Sequence, residues 1–337
     1  MVEIINDVSF SNMEEMLSDC LYDVHTKDID KVPFLGLSSG FHSLDELTDG
    51  FKEGKVYIVG GRPCMGKEEF MLSMIRNIVV ESKVPALLFS TNNMGQDYMQ
   101  RFLSIHCDIP TAKLYTAQLM PDEWKRLDTG AASLIDAPLF IHNCLDLPLN
   151  ELIETVRNCI NEKATKIIFI DCLQMIDFAK GEKGISERIA EVMHSLKKMA
   201  CLFEVPIVVG SMLSRGVEYR DGIEGKQPQF MDLANSCYIE ELADVVIMVH
   251  RPEYYRMYED ERGRNLHGVM EIYVKKNNLN PLGSILLDYH EDTGIVTSRK
   301  SANASASKPV RLKDFNTDNN AVKNLIQTFE LEEELPF

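Results

Sequence analysis

The apolar run Val56-Tyr-Ile-Val-Gly60 is of strand length, and Gly61-Arg-Pro-Cys-Met-Gly-Lys67 follows it without a break. From Glu68 onward the chain, Glu69-Phe-Met-Leu-Ser-Met-Ile75, reads as helix. A strand that turns through G-x-x-x-x-G-K into a helix restricts the fold to an α/β sheet with an anion site at one strand end. The glycines let backbone N–H groups turn inward as a nest at the helix N-terminus, and the lysine reaches the outer phosphates. Gly61, Arg62, Pro63, Cys64, Met65, Gly66 and Lys67 are therefore candidate nucleotide-phosphate ligands. Glu68 breaks the pattern, because the next position requires Ser or Thr. A hydroxyl ligates Mg²⁺ without adding charge beside the phosphates. A glutamate either repels a triphosphate or holds the metal in another geometry. The expectation is weakened nucleotide binding and a larger loss of hydrolysis.

The rest of the chain carries short apolar runs at Val56–Gly60, Ala86–Ser90, Pro138–His142, Lys166–Asp171, Pro206–Ser211, Val245–Val249, Met270–Val274 and Ser284–Tyr289. Helical stretches separate the first six. The clearest spans 185–203, where Ile185, Ile189, Val192, Met193, Leu196, Met199 and Phe203 keep helical spacing. The pattern predicts a mostly parallel sheet covered by helices on both faces, with the last two runs as an antiparallel finish. Lys166-Ile-Ile-Phe-Ile-Asp171 ends in an acid at a strand tip. In phosphate-loop enzymes such an acid holds Mg²⁺ through water, which is the reading adopted for Asp171 over a simple capping role.

A length of 337 residues admits two domains or one large α/β domain with extensions. The net charge of −17 argues against a generally basic nucleic-acid coat but leaves a local basic channel open. Eight cysteines stand singly without any C-x-x-C, which argues against a disulfide framework or zinc ribbon and points to a reducing cytoplasm. The N-terminus lacks a basic leader region, and no apolar run is long enough to span a bilayer. Residues 1–33 are acidic and hold one amphipathic stretch, with Met16, Leu17, Cys20, Leu21 and Val24 on one side. That stretch needs a surface, on its own domain or on a neighbouring subunit. Residues 34–299 carry the α/β pattern. Residues 300–337 form a small-residue linker followed by an acidic tail ending Glu332-Glu-Glu-Leu-Pro-Phe337.

The ordered motifs resemble the C-terminal, RecA-like motor domain of DnaB-type replicative helicases. They run from Leu35-Gly-Leu-Ser-Ser-Gly-Phe-His-Ser-Leu-Asp45 through Arg62-Pro63 and Met65-Gly66-Lys67 to Leu88-Phe-Ser90 and Arg101-Phe-Leu103. Further matches are Ile170-Asp171 with Leu173-Gln174, then Val205-Pro206, Ser211, Leu213 and Arg215, then Ile239-Glu240, Ala243-Asp244, Pro281 and Gly283. The resemblance covers roughly residues 12–296. It implies a RecA-like phosphate-loop core, a homo-oligomeric hexameric ring, ATP with Mg²⁺ between subunits, and single-stranded DNA in the channel. It also places residues 12–30 as a linker helix that docks on the adjacent subunit.

Where the family carries its water-polarising glutamate this chain has Asn92, and where the arginine finger sits it has Asn278, while Lys276 keeps the neighbouring lysine. Asn orients a water but cannot act as its base. An arginine finger supplies roughly 10³–10⁵ in rate. The losses at Glu68, Asn92 and Asn278 predict a protein with the fold and little motor activity. A shift of register would offer Glu53 or Glu69 as a substitute for one of them. By the same resemblance Lys180, Lys183, Arg215 and Arg220 fall in channel-lining loops that track a DNA backbone. The Pro-Phe tail is similar to the acidic tip of bacterial single-stranded-DNA-binding proteins, which implies recruitment of replication proteins; its plain alternative is a solubilising tail. The competing readings are a degenerate structural, regulatory or loader-type partner in DNA replication, an active helicase with unorthodox residues, and a body that presents the tail.

Overall fold

Among the described residues one nine-stranded sheet runs, in spatial order, Leu139–Asn143, Ala86–Ser90, Ile167–Ile170, Ile207–Met212, Val56–Gly61, Val245–His250, Val269–Asn277, Gly283–His290 and Ile295–Ser298. The computed structural model describes residue 13 and residues 34–91, 95–176, 184–233, 236–260, 263–278 and 281–299. Apart from Met13, the stretch at 12–30 lies outside the described residues, as do Asn92, Lys180, Lys183 and the tail.

The strands are β1 (Val56–Gly61), β2 (Ala86–Ser90), β3 (Leu139–Asn143), β4 (Ile167–Ile170), β5 (Ile207–Met212), β6 (Val245–His250), β7 (Val269–Asn277), β8 (Gly283–His290) and β9 (Ile295–Ser298). The first six pair in parallel, and β6 through β9 continue as antiparallel neighbours. The eight apolar runs all become strands, with ends displaced by a few residues at most. β9 lacks a counterpart among them. It is four residues long and half exposed, too short and too polar to stand out as an apolar run.

The helices are α1 (His42–Thr48), α2 (Lys67–Arg76), α3 (Gly95–Cys107), α4 (Thr111–Thr116), α5 (Pro121–Leu134), α6 (Leu149–Lys163), α7 (Ile185–Phe203), α8 (Gly222–Lys226) and α9 (Ser236–Leu242). Strand alternation sorts the core into two layers. Tyr57, Val59, Leu88, Phe169, Val208 and Ile247 face a cluster that includes Phe70 and Met74 of α2, Ile78 of the π-helical turn after it, and Tyr98 and Phe102 of α3. Val56, Ile58, Phe89, Ile168, Val209 and Val246 face Leu152 and Val156 of α6, Ile189, Val192 and Leu196 of α7, and Ile239 of α9. Burial on both sides is why the central strands are continuously apolar. Each such side chain contributes roughly 1.5–3 kcal/mol on leaving water. Among the described residues no helix is long and apolar enough to cross a membrane.

Candidate phosphate-binding site

The carboxyl ends of β1, β4, β5 and β6 place the candidate residues at one edge of the sheet, where open α/β sheets bind ligands. β1 hands over to the loop at Gly61, and α2 begins at Lys67. Cys64 has φ 62° and Gly66 φ 83°, the left-handed conformations that turn successive N–H groups to one side. At Gly66 a side chain is excluded by space as well as by φ, since a Cβ there would lie 2.5 Å from the Met270 methyl. The loop and α2 line a cleft of about 350 Å³ together with Glu68, Glu69, Arg101 and Met212.

Lys67 is nearly buried, and its Nζ donates to the Asp171 carbonyl at 3.2 Å. Gly210 on β5 is what allows this approach, because a Cβ there would lie 2.1 Å from the same carbonyl oxygen. The Asp171 carboxylate is buried just beyond β4 and accepts from the Thr91 backbone N–H at 2.9 and 3.0 Å and from Thr91 Oγ1 at 2.5 Å. Thr91 was absent from the candidates. Its signal was weak, a polar residue directly after a buried strand. Gln174 lies close by, donating Nε2–H to Ser211 Oγ at 3.0 Å and accepting from the Met212 N–H at 3.1 Å, so it ties the tips of β4 and β5.

Glu68 lies in the second helical position and accepts from Arg101 Nη1 at 2.6 Å. Arg101 also lies 3.9 Å from Glu69. Burial raises the Glu69 carboxyl above the usual range, the Glu68 charge adds to the rise, and Arg101 and Arg251 oppose it. Arg251, directly after β6, is a second residue that pattern reading missed. It is buried, stacks 4.2 Å above the Tyr289 ring, and donates to the Cys64 carbonyl of the loop and to Glu291, each at 3.3 Å. Arg62 turns toward the segment after β5, with Nη1 on the Leu213 carbonyl at 2.9 Å and Nε on Glu218 at 3.0 Å.

The donor set fits a phosphate through the loop N–H groups and Lys67. It departs from the usual metal arrangement, since no hydroxyl follows Lys67 and Glu68 is engaged by Arg101. Among the described residues the convergent group of three metal-ligating side chains lies elsewhere.

The remaining candidates are spread apart. Asn278 is exposed at a bend following β7, whose Asn277 pairs with Val245 at the start of β6. Because β6 runs parallel to β1, Asn278 occupies the sheet edge opposite the loop. Glu53 precedes β1 and so lies on that opposite side too, whereas Glu69 lines the cleft. Lys276 donates to the Glu240 carbonyl and, at 3.3 Å, to the Glu241 carbonyl, capping the negative end of α9. Arg215 is exposed, but Arg220 is bound into its own segment by Asp232 at 2.5 Å and the Gln227 carbonyl at 3.3 Å.

The profile of the DnaB-like helicase C terminal domain matches residues 36–296. The chain is 29% identical over 285 residues to the replicative DNA helicase DnaB of Geobacillus stearothermophilus, covering 83% of this chain and 60% of the relative. A probable replicative DNA helicase of Trieres chinensis is 33% identical over 290 residues, covering 85% and 62% respectively. The chain thus spans about three fifths of the length of these curated relatives. Among solved structures, the ATPase domain of G40P superposes with a TM-score of 0.77 at 23% identity, covering 87% of this chain and all of that one. A DnaB-like replicative helicase studied for its interactions with primase gives 0.75 at 23% identity, covering 87% and 68%. These two carry the fold: a RecA-like core with a mostly parallel sheet and antiparallel final strands. A phosphate loop on β1, an acid at the tip of β4 and a family profile over most of the sheet place this chain in the DnaB-like helicase C-terminal domain family.

Proposed function

We propose that the protein acts in DNA replication as a DnaB-like partner whose nucleotide site keeps its scaffold and has lost most of its catalysis. The observation that carries this reading is the Glu68–Arg101 pair inside a cleft where Lys67 and Asp171 remain in register. A phosphate entering the nest meets the Lys67 ammonium and the loop N–H groups, and also the Glu68 carboxylate. Arg101, which would otherwise face the incoming anion, is already neutralised. When bound, Mg-ATP supplies the phosphoryl group for transfer; here Asn92 replaces the expected base and Asn278 the expected finger.

The position of Asn278 on the sheet edge opposite its own loop suits a residue that acts on a neighbour's nucleotide. It supports assembly of a ring, either of this chain alone or mixed with an active helicase. Single-stranded DNA in the channel, replication proteins on the Pro-Phe tail and a cytoplasmic location belong to the same proposal. The decisive measurement is ATP turnover with and without single-stranded DNA, in the parent and in Lys67→Ala. Turnover near background in both supports the reading. DNA-stimulated hydrolysis that Lys67→Ala abolishes sinks it and favours an active helicase instead.

A further inference from the structure

On the outer edge of the sheet, away from the phosphate loop, a second donor set converges. His142 is in β3, Cys144 follows that strand, and Glu151 lies in the first turn of α6. One ligand atom from each, the imidazole nitrogen, the thiol sulfur and a carboxylate oxygen, lies within 4.8 Å of the other two. His142 Nε2 is 2.9 Å from Glu151 Oε1. The Cys144 backbone N–H donates to the Ser90 carbonyl at 3.0 Å, which anchors the turn to β2, and its Sγ faces the Asp146 carbonyl at 2.8 Å. The His142 ring is held 5.4 Å from that of Phe89. Side-chain exposures of 28% for His142 and 43% for Glu151 leave the group open to ions from solvent.

We propose that His142, Cys144 and Glu151 form a zinc-class metal site, independent of the nucleotide reading. A hydrogen-bonded His–Glu pair and a thiol donating to the Asp146 carbonyl satisfy each group singly, but neither requires a nitrogen, a sulfur and an oxygen donor to converge within 4.8 Å. One nitrogen, one sulfur and one oxygen donor of mixed softness select Zn²⁺ over Mg²⁺ or Ca²⁺, which take oxygen ligands. Bond lengths of about 2.0–2.3 Å in a tetrahedral site require donor separations near 3.5 Å. Rotamer shifts on the order of 1 Å in partly exposed side chains achieve that. Binding releases the Cys144 thiol proton to solvent and moves the imidazole proton to Nδ1, so that Nε2 and the thiolate face the ion. Three protein ligands leave a fourth position for water or for a side chain of another molecule. The ion clips the turn after β3 to α6, beside the end of β2 that leads to Thr91.

The test uses the full reduced chain, titrated with Co²⁺ as a spectroscopic stand-in and then with Zn²⁺ in competition. One equivalent of Co²⁺ gives visible d–d bands and a thiolate-to-cobalt charge-transfer band, and Zn²⁺ displaces both. Cys144→Ser removes the charge-transfer band, while His142→Ala and Glu151→Gln weaken binding by about tenfold or more. Glu151→Gln is conservative and partly exposed, so it separates ligand loss from misfolding, and Zn²⁺ then raises the Tm of the parent more than that of this variant at the same concentration. A parent that gives no cobalt bands, or a charge-transfer band that survives Cys144→Ser, overturns the site.

Discussion

Glu68 and Arg101 close an ion pair of 2.6 Å across the phosphate-loop cleft, one from the first turn of α2 and the other from α3. Both side chains keep partial exposure, 21% and 34%, so the pair is open to solvent and to an incoming ligand. The carboxylate places negative charge beside the nest and occupies a cation of the cleft wall.

Replacing Glu68 by Thr removes the charge and releases Arg101 toward the cleft. Mg-ATP affinity is expected to tighten by about tenfold, ~1.4 kcal/mol, read by calorimetry. Turnover stays negligible, because Asn92 and Asn278 are unchanged. Equal affinities in the two proteins would place Glu68 outside the phosphate site.

Asp171 accepts two contacts from the Thr91 N–H and one from its hydroxyl, all in a buried setting. Asp171→Ala leaves that N–H without its acceptor and is expected to destabilise the fold by about 1–3 kcal/mol in urea unfolding. Asp171→Asn keeps an acceptor oxygen and loses less. An alanine variant as stable as the parent would show that the Thr91–Asp171 contact contributes nothing to the fold.

Arg251 joins the phosphate loop to the antiparallel end of the sheet through Cys64 and Tyr289. Arg251→Lys loses the planar stack and the fork that reaches both acceptors. The expected result is a loss of about 1–2 kcal/mol in thermal or urea unfolding. Phosphate affinity should weaken with it. Full retention of both would reduce Arg251 to a filler of space.

His250 is buried beside the Tyr255 ring, with Glu271 4.0 Å away, and burial lowers its pKa from 6.5 to about 4. The folded value lies below the unfolded one, so the unfolded chain binds the proton first as pH falls. Stability from this group is full above pH 6.5 and declines toward pH 4, at about 1.4 kcal/mol per unit. His250→Phe is expected to flatten that part of the stability–pH curve, measured by urea unfolding at several pH values. An unchanged slope would assign the acid sensitivity to other groups.

The apolar runs were legible because a strand buried on both faces has almost no polar positions, and α7 because its buried residues repeat with the helical period over 185–203. The G-x-x-x-x-G-K loop was legible for a related reason, since its geometry is local and needs glycine where φ is positive. Thr91 and Arg251 were not, because their partners lie 80 and 187 residues away along the chain. The engagement of Arg220 by Asp232 and of Lys276 by the end of α9 was hidden too, although Arg220 carried an expectation of DNA contact.

By itself the sequence determined that a mostly parallel α/β sheet would form and that a G-x-x-x-x-G-K loop with an acidic residue after its lysine would follow β1. Burial period and local φ preference are properties of short segments, and short segments are what a sequence displays. Tertiary structure decided what that acidic residue does. Only the packing of α3 against α2 brings Arg101 to Glu68, and only the pairing of β7 with β6 sets Asn278 on the edge opposite the loop. Those relationships depend on which distant segments the folded core makes neighbours, and no local pattern encodes them.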